Sequence, residues 1–266
     1  MSNLSKSLQT ELIATAHALA DAARPVTLAH FRDPAIQAEN KLQTGFDPVT
    51  IADRGAETAM RDVLSKLRPD DGVLGEEFPP IAGTSGFTWV LDPIDGTRSY
   101  ISGTPTWGIL IAVNHGAAPI YGMIDQPYIG ERFCGGFGEA YVTGPQGRSE
   151  LAVRQIDQLK DAILFTTFPE VGTPAEGAAF RAVSEKTKLT RYGLDCYAYG
   201  LLAAGQIDLV IESGLNAFDV QGPIAVIEAA GGIVTNWRGG PAYDGGQILA
   251  AGTKALHEQA MQLLVG

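Results

Sequence analysis

Beyond Gly144 the sequence changes period repeatedly: strand-like AILFTTF, helix-like PAEGAAFRAVSEKT, strand-like LTRYG, helix-like DCYAYGLLAAG, strand-like DLVIES, helix-like FDVQGPIAVIEAAGG and strand-like IVTNW. Strands separated by helices leave few possible arrangements, because each helix must lay its apolar stripe on a sheet face. The alternation therefore predicts a layered α/β second half. The region before it has another texture. Apolar residues recur at three- and four-residue intervals through the first thirty-odd residues and again from Ile51 to Leu67, which predicts two amphipathic helices. From Thr88 the short runs TWVL, WGILIAV, PIYGMID and RFCGGFGEAYVT, broken by Gly and Pro, predict antiparallel strands. The expected plan is residues 1–145 as helices on an antiparallel sheet and 146–266 as the α/β half. With no repeat, low-complexity tract or linker between them, the two form a single unit with a cleft where they meet.

With 266 residues, 45% of them hydrophobic, the chain can bury a sizeable core. No apolar run approaches the ~20 residues a membrane span needs, and Glu11 and Asp21 interrupt the N-terminal stretch where a signal peptide would be apolar. The expected setting is the cytoplasm, away from membranes. A formal charge of -11 argues against nonspecific nucleic-acid binding, which relies on Lys and Arg. An anionic ligand would then need a local reversal of sign, which clustered carboxylates holding divalent cations supply. Cys134 and Cys196 lie far apart without metal-ligand spacing and are expected to be reduced, structural thiols. His17, His30, His115 and His257 make no zinc pattern and are expected on the surface or in packing.

The acids are more informative. In WVLDPIDGTRSY an apolar run ends on Asp92 and Asp95, three residues apart, before Gly96 and Thr97. Asp-Pro and Asp-Gly are ordinary turn pairs, so a tight turn explains them. Alternatively both carboxylates, with the Ile94 carbonyl between them, converge on hard cations, while Gly96 and Thr97 present backbone amides to a phosphate. LGEEF, with Glu76, repeats the placement of acids after an apolar step, and Asp219 stands at the start of a predicted helix. In KLQTGFDPVTIADR, Lys41, Asp47 and Asp53 surround a loop and helix entry; Asp47 also suits an Asx-Pro turn and Asp53 a helix-terminal charge. Oxygen donors without a histidine cluster point to Mg²⁺ or Mn²⁺.

Taken together, GEEF, WVLDPIDGTRSY and FDVQGPIAVIEAAGG resemble the inositol-monophosphatase-like members of the Mg²⁺-dependent, lithium-sensitive sugar phosphatase superfamily, over nearly the whole chain. The resemblance implies an α/β/α/β/α sandwich of the inositol monophosphatase and fructose-1,6-bisphosphatase type, commonly a homodimer. It also implies metal ligands at Glu76, Asp92, the Ile94 carbonyl, Asp95 and Asp219, a water-orienting pair in Thr97 and Asp53, and phosphate held by the Gly96 and Thr97 amides. The implied cofactor is Mg²⁺, two or three ions with the weakest near Glu76, and Mn²⁺ as a substitute. The implied chemistry is hydrolysis of a small phosphate ester by activated water.

Phe218, Gln221 and Gly222 depart from the common inositol monophosphatase pattern around the last metal acid, and Asp195 replaces a small or hydroxyl residue. Together with DGTRSYISGTPTWGILIAV these make the chain resemble the histidinol-phosphate phosphatase branch, whose substrate carries an amine and an imidazole. Glu212 matches a substrate-contacting position, and Asp195 would add a second anionic partner or simply cap the helix that follows. Arg191 matches a position that contacts substrate or the neighbouring site, and equally suits a strand-end surface. An inositol-1-monophosphatase or broad small-molecule phosphatase is the alternative activity, and a noncatalytic phosphometabolite-binding relative is the alternative class.

Overall fold

A computed structural model describes residues 4–36, 38–40 and 48–266. Lys41 and Asp47 lie outside the described residues. Helix α1 (Lys6–His30) begins at Ser5, whose hydroxyl accepts the Leu8 N–H, and buries Leu12, Ala16, Leu19 and Ala23 at helical spacing. After the short antiparallel pair β1 (Glu39–Asn40) and β2 (Pro48–Val49), helix α2 (Ile51–Leu67) opens on a capping box between Thr50 and Asp53. It buries Ala52, Ala56, Met60 and Leu64, one residue per turn.

The next strands are β3 (Gly72–Gly75), β4 (Phe87–Asp95), β5 (Gly108–His115), β6 (Ala118–Gln126), β7 (Glu131–Gly136), β8 (Glu139–Gly144) and β9 (Gly147–Glu150), with the five-residue helix α3 (Thr97–Ile101) between β4 and β5. They form one seven-stranded sheet in sequence order, antiparallel as expected except for β3, which runs parallel to β4. The chain continues through β10 (Ile163–Thr166), α4 (Pro174–Ser184), β11 (Leu189–Tyr192), α5 (Tyr197–Ala203), β12 (Leu209–Asn216), α6 (Ala217–Ala229), β13 (Ile233–Thr235), β14 (Gly245–Ala251) and α7 (Lys254–Val265). The second sheet has the order β11-β10-β12-β14-β13, with β10 parallel to β11 and β12 and with β14 antiparallel to both its neighbours. The alternation read from the sequence stops at IVTNW; β14 and α7 complete the half beyond it.

Side-chain alternation along the strands builds the layers. On β5, Ile109, Ile111 and Val113 face α1 and α2, while Leu110 packs on the opposite side with Val220 and Ile224 of α6. In the second sheet Val210, Ile248 and Ala250 also face α6, whereas Leu209, Ile211 and Leu249 join Phe180 of α4 and Leu256 of α7. The order is thus α1 and α2, first sheet, α5 and α6, second sheet, α4 and α7: an α/β/α/β/α sandwich. Every residue of α6 from Val220 to Ile227 is buried, because both its faces meet a sheet; a helix in that position has no polar stripe. Its approach to the first sheet is close enough that a Cβ at Gly122 of β6 would fall 2.3 Å from the Gly222 carbonyl oxygen.

Candidate active site

A cavity of about 430 Å³ opens between the halves, at the end of β4 and the starts of α5 and α6. Residues three apart on a regular strand point to opposite faces, so Asp92 and Asp95 would diverge. They do not, because the β4–β5 register slips: Asp92 pairs with Leu110 but Asp95 with Gly108, placing one extra residue at Pro93–Ile94. A bulge there bends the strand, re-aims the side chains and tolerates a proline. The same device recurs on β12, where Glu212 pairs with Ile248 and Leu215 with Gly246. Both strands that deliver acids to the cavity break register at the point of delivery.

Asp92, Asp95 and Asp219 present carboxylate oxygens within 4.8 Å of one another. Each is also tied down locally. Asp92 Oδ1 accepts the Ile94 N–H at 3.0 Å, Asp95 Oδ2 accepts the Cys196 N–H at 2.6 Å, and Asp219, in the first turn of α6, accepts the Asn216 N–H at 2.6 Å. The turn and helix-terminal roles read from the sequence are therefore real, and coexist with convergence. Burial, followed by the charges of Glu76, Asp95 and Asp219, pushes Asp92 well above the carboxylate range; burial and then Asp195 and Asp219 do the same to Asp95. Asp219 is pushed up to about 7, chiefly by burial. Among the described residues no Lys or Arg forms an ion pair with these three. An all-oxygen set with this density of negative charge fits a hard divalent cation.

Beside this group, Asp53 is fully buried, with Oδ2 accepting the Thr50 N–H at 2.8 Å and the Thr50 hydroxyl at 2.6 Å. Its other oxygen lies 3.4 Å from Thr97 Oγ1, which is also 3.1 Å from the Ile94 carbonyl oxygen. Burial raises the Asp53 pKa to about 6. Gly96, next to Thr97 in the chain, packs against Asp195. It adopts φ 80°, and a Cβ on it would sit 2.7 Å from the Asp195 carboxyl carbon, so this turn excludes a side chain.

Two further carboxylates line the cavity. Asp195 does not cap α5: Cys196 occupies the N-cap, and the Asp195 carboxylate instead accepts the Ser99 hydroxyl at 2.5 Å and the Thr106 hydroxyl at 2.9 Å. Burial raises its pKa, while those hydroxyls and the charge of Arg98 pull it back. Glu212 is buried, accepts the Thr167 N–H at 2.7 Å and the hydroxyls of Thr167 and Thr166 at 2.9 and 3.1 Å, and is raised by burial to about 7. Arg98 crosses the mouth with its guanidinium 5.0 Å from the Phe168 ring centre.

Glu76, Asp92, Ile94, Asp95, Gly96, Thr97, Asp195, Glu212 and Asp219 all line this cavity, and Asp53 stands behind Thr97. Arg191 does not join them. It sits on β11, the outer strand of the second sheet, exposed to solvent. Phe218 lines the wall, whereas Gln221 turns away to bond Asn114 and the Tyr243 carbonyl. Both cysteines are buried free thiols. His17 bonds Tyr141 and Arg132, and His257 bonds Thr235, in keeping with packing roles. Sequence reasoning missed Arg98, Ser99, Thr106, Thr166, Thr167 and Tyr199; the paired threonines ending the apolar run AILFTTF were the one visible signal.

A two-sheet α/β sandwich with a carboxylate cluster and a hydroxyl–carboxylate pair at the junction of its halves suits metal-assisted hydrolysis of an anionic ester. The inositol monophosphatase family model matches residues 8–266. A chloroplastic bifunctional phosphatase, IMPL2, of Arabidopsis thaliana is 38% identical over 99% of this chain and 78% of its own length. A histidinol-phosphatase of Streptomyces coelicolor is 34% identical over 94% of this chain and 95% of its own. The solved inositol monophosphatase of Zymomonas mobilis superposes with a TM-score of 0.85 at 36% identity, covering 99% of this chain and all of that one. The chain belongs to the inositol monophosphatase family and is a phosphatase.

Proposed function

We propose that this phosphatase hydrolyses L-histidinol phosphate to L-histidinol and phosphate, with Mg²⁺ as cofactor and Mn²⁺ as a substitute. One observation carries the substrate choice: Asp195 and Glu212 line the same cavity as the metal-type acids, where they suit a leaving group bearing a cationic amine and a protonatable ring. The relatives named histidinol-phosphatase support it.

Glu76, Asp92, the Ile94 carbonyl, Asp95 and Asp219 would hold the metal, which when bound acidifies water and offsets charge on the phosphate and leaving oxygens. The chain's own residues do the rest. Thr97, donating its hydroxyl proton toward Asp53, leaves its lone pairs free to accept from the attacking water and orient it. Asp53 works in this role when ionised, above about pH 6. The Gly96 and Thr97 amides hold the phosphate oxygens, and the absence of a side chain at Gly96 lets the phosphate wall and Asp195 approach. Glu212, fixed by three donors, faces the leaving group.

An inositol monophosphatase is the second reading, favoured by the name of the Zymomonas mobilis neighbour. Phosphate release from a panel of small esters, with and without Mg²⁺, separates the two. We expect Mg²⁺-dependent turnover with the highest kcat/KM on histidinol phosphate; a parent enzyme preferring inositol monophosphate moves the chain to the second reading. Homodimer formation belongs to the same proposal and is tested by light scattering.

A further inference from the structure

Among the described residues, one side chain on the cavity wall has a buried polar atom without a partner in the protein. Tyr199 of α5 is 4% exposed and lines the cavity. Its phenolic oxygen is sealed from bulk solvent and, among the described residues, has no hydrogen-bond partner. A buried hydroxyl left unpaired by the protein destabilises the fold, and one on a cavity wall is free to pair with a group that arrives with the ligand. Burial first, then the charges of Glu212, Asp95 and Asp219, push the phenol well above its ordinary range. It is therefore a neutral group able to donate one hydrogen bond and accept others.

The surroundings identify the partner's chemistry. Glu212 lines the same cavity and exerts the largest charge effect on the phenol. Glu212 accepts from Thr166 and Thr167, and Asp95 from Cys196; neither closes on the Tyr199 oxygen. The cavity thus sets a fixed acceptor, Glu212, near a free donor-acceptor, Tyr199. A neutral imidazole carries one N–H and one bare ring nitrogen, matching an acceptor and a donor side by side. An alkyl chain matches neither.

Taking the phosphatase reading of this cavity as given, we infer that the Tyr199 hydroxyl is a specificity-determining contact that hydrogen-bonds a nitrogen of the substrate's leaving group beside Glu212. Tyr199→Phe keeps the ring and its packing and removes only the oxygen. In the variant, kcat/KM for histidinol phosphate relative to a simple alkyl phosphate falls about tenfold, as expected when a desolvated polar group loses its partner. Binding of L-histidinol, followed by calorimetry in the presence of Mg²⁺ and phosphate, weakens by a similar factor. The ligand-free variant melts at or above the parent, since no bond is lost from it. An unchanged ratio overturns the inference. So does a lowered melting temperature with equal losses on both esters, which would show that the hydroxyl supports the fold. If the parent prefers a nitrogen-free ester, the substrate reading falls on the parent's data alone; the histidinol binding arm still decides the role of Tyr199.

Discussion

Asp53→Asn should make the metal-free protein more stable at alkaline pH while removing its activity. Asp53 is fully buried in the first turn of α2. Its pKa rises from an ordinary 3.8 to about 6 because burial outweighs the bonds from Thr50. That difference corresponds to about 3 kcal/mol. The sign follows from the direction: the folded state holds the proton more tightly than the unfolded chain, so the associated stability is complete below about pH 4 and is lost as pH rises through about 6. At pH 8 the ionised carboxylate therefore costs the fold about 3 kcal/mol. Asparagine mimics the neutral form and keeps an oxygen for the Thr50 N–H, at a loss of about 1 kcal/mol for the weaker cap. A net gain of about 2 kcal/mol at pH 8 raises Tm by about 4–8 °C for a chain of this size, whereas at pH 4 the variant melts slightly below the parent. Thermal melts in excess chelator at both pH values measure this. Chelation matters because a bound cation would favour the ionised parent. A variant that melts below the parent at pH 8 as well would show that the Thr50 bonds outweigh burial, and the raised pKa would be wrong.

The same substitution should lower kcat by about a hundredfold or more, and Thr97→Ala should act through the same water; the double variant is expected to lose much less than the product of the two, which a double-mutant cycle on kcat measures. Fully multiplicative losses would separate Thr97 from Asp53. Asp195→Asn should reduce the ratio of kcat/KM for histidinol phosphate over inositol monophosphate by about tenfold, since the amide keeps the Ser99 and Thr106 geometry largely intact and removes the charge. An unchanged ratio, measured at fixed Mg²⁺ where the imidazole is partly charged, would assign Asp195 to structure alone.

The sequence made most elements legible for a simple reason: α1, α2 and the strands of the first sheet each bury one face, so their period is written in the order of residues. Helix α6 was legible through composition and length instead, because its burial between two sheets erases the polar stripe. What could not be read were properties of pairs. Whether β3 runs parallel to β4, or whether Asp92 and Asp95 point the same way, depends on the partner strand's register. Asp195 shows the limit most clearly. Ahead of a predicted helix it has the form of an N-cap, yet it takes φ 47° and reaches hydroxyls 96 and 89 residues away in sequence. Arg191 shows the reverse: the sequence offered a substrate contact or a strand-end surface, and its exposed place on the outer strand β11 is the second.

The two kinds of information meet at the acids. Asp53 and Asp219 occupy the same position in the first turns of their helices, Asp92 is held by the Ile94 N–H, Asp95 by Cys196 and Glu212 by Thr166 and Thr167. Such donors stabilise an ionised carboxylate, and on a solvated surface they would lower its pKa. Here each pKa is raised, with burial the largest cause every time. The hydrogen bonds therefore fix where the oxygens point without neutralising them. Orientation is supplied by backbone and hydroxyl groups that carry no net charge, so a cation would be needed to hold these acids ionised together. Replacing these donors by Lys or Arg would favour the ionised carboxylates just as well, but would put fixed positive charge where the proposed cation and leaving group would bind. Neutral donors on all five acids thus orient them without placing a fixed positive charge beside a site suited to a cation.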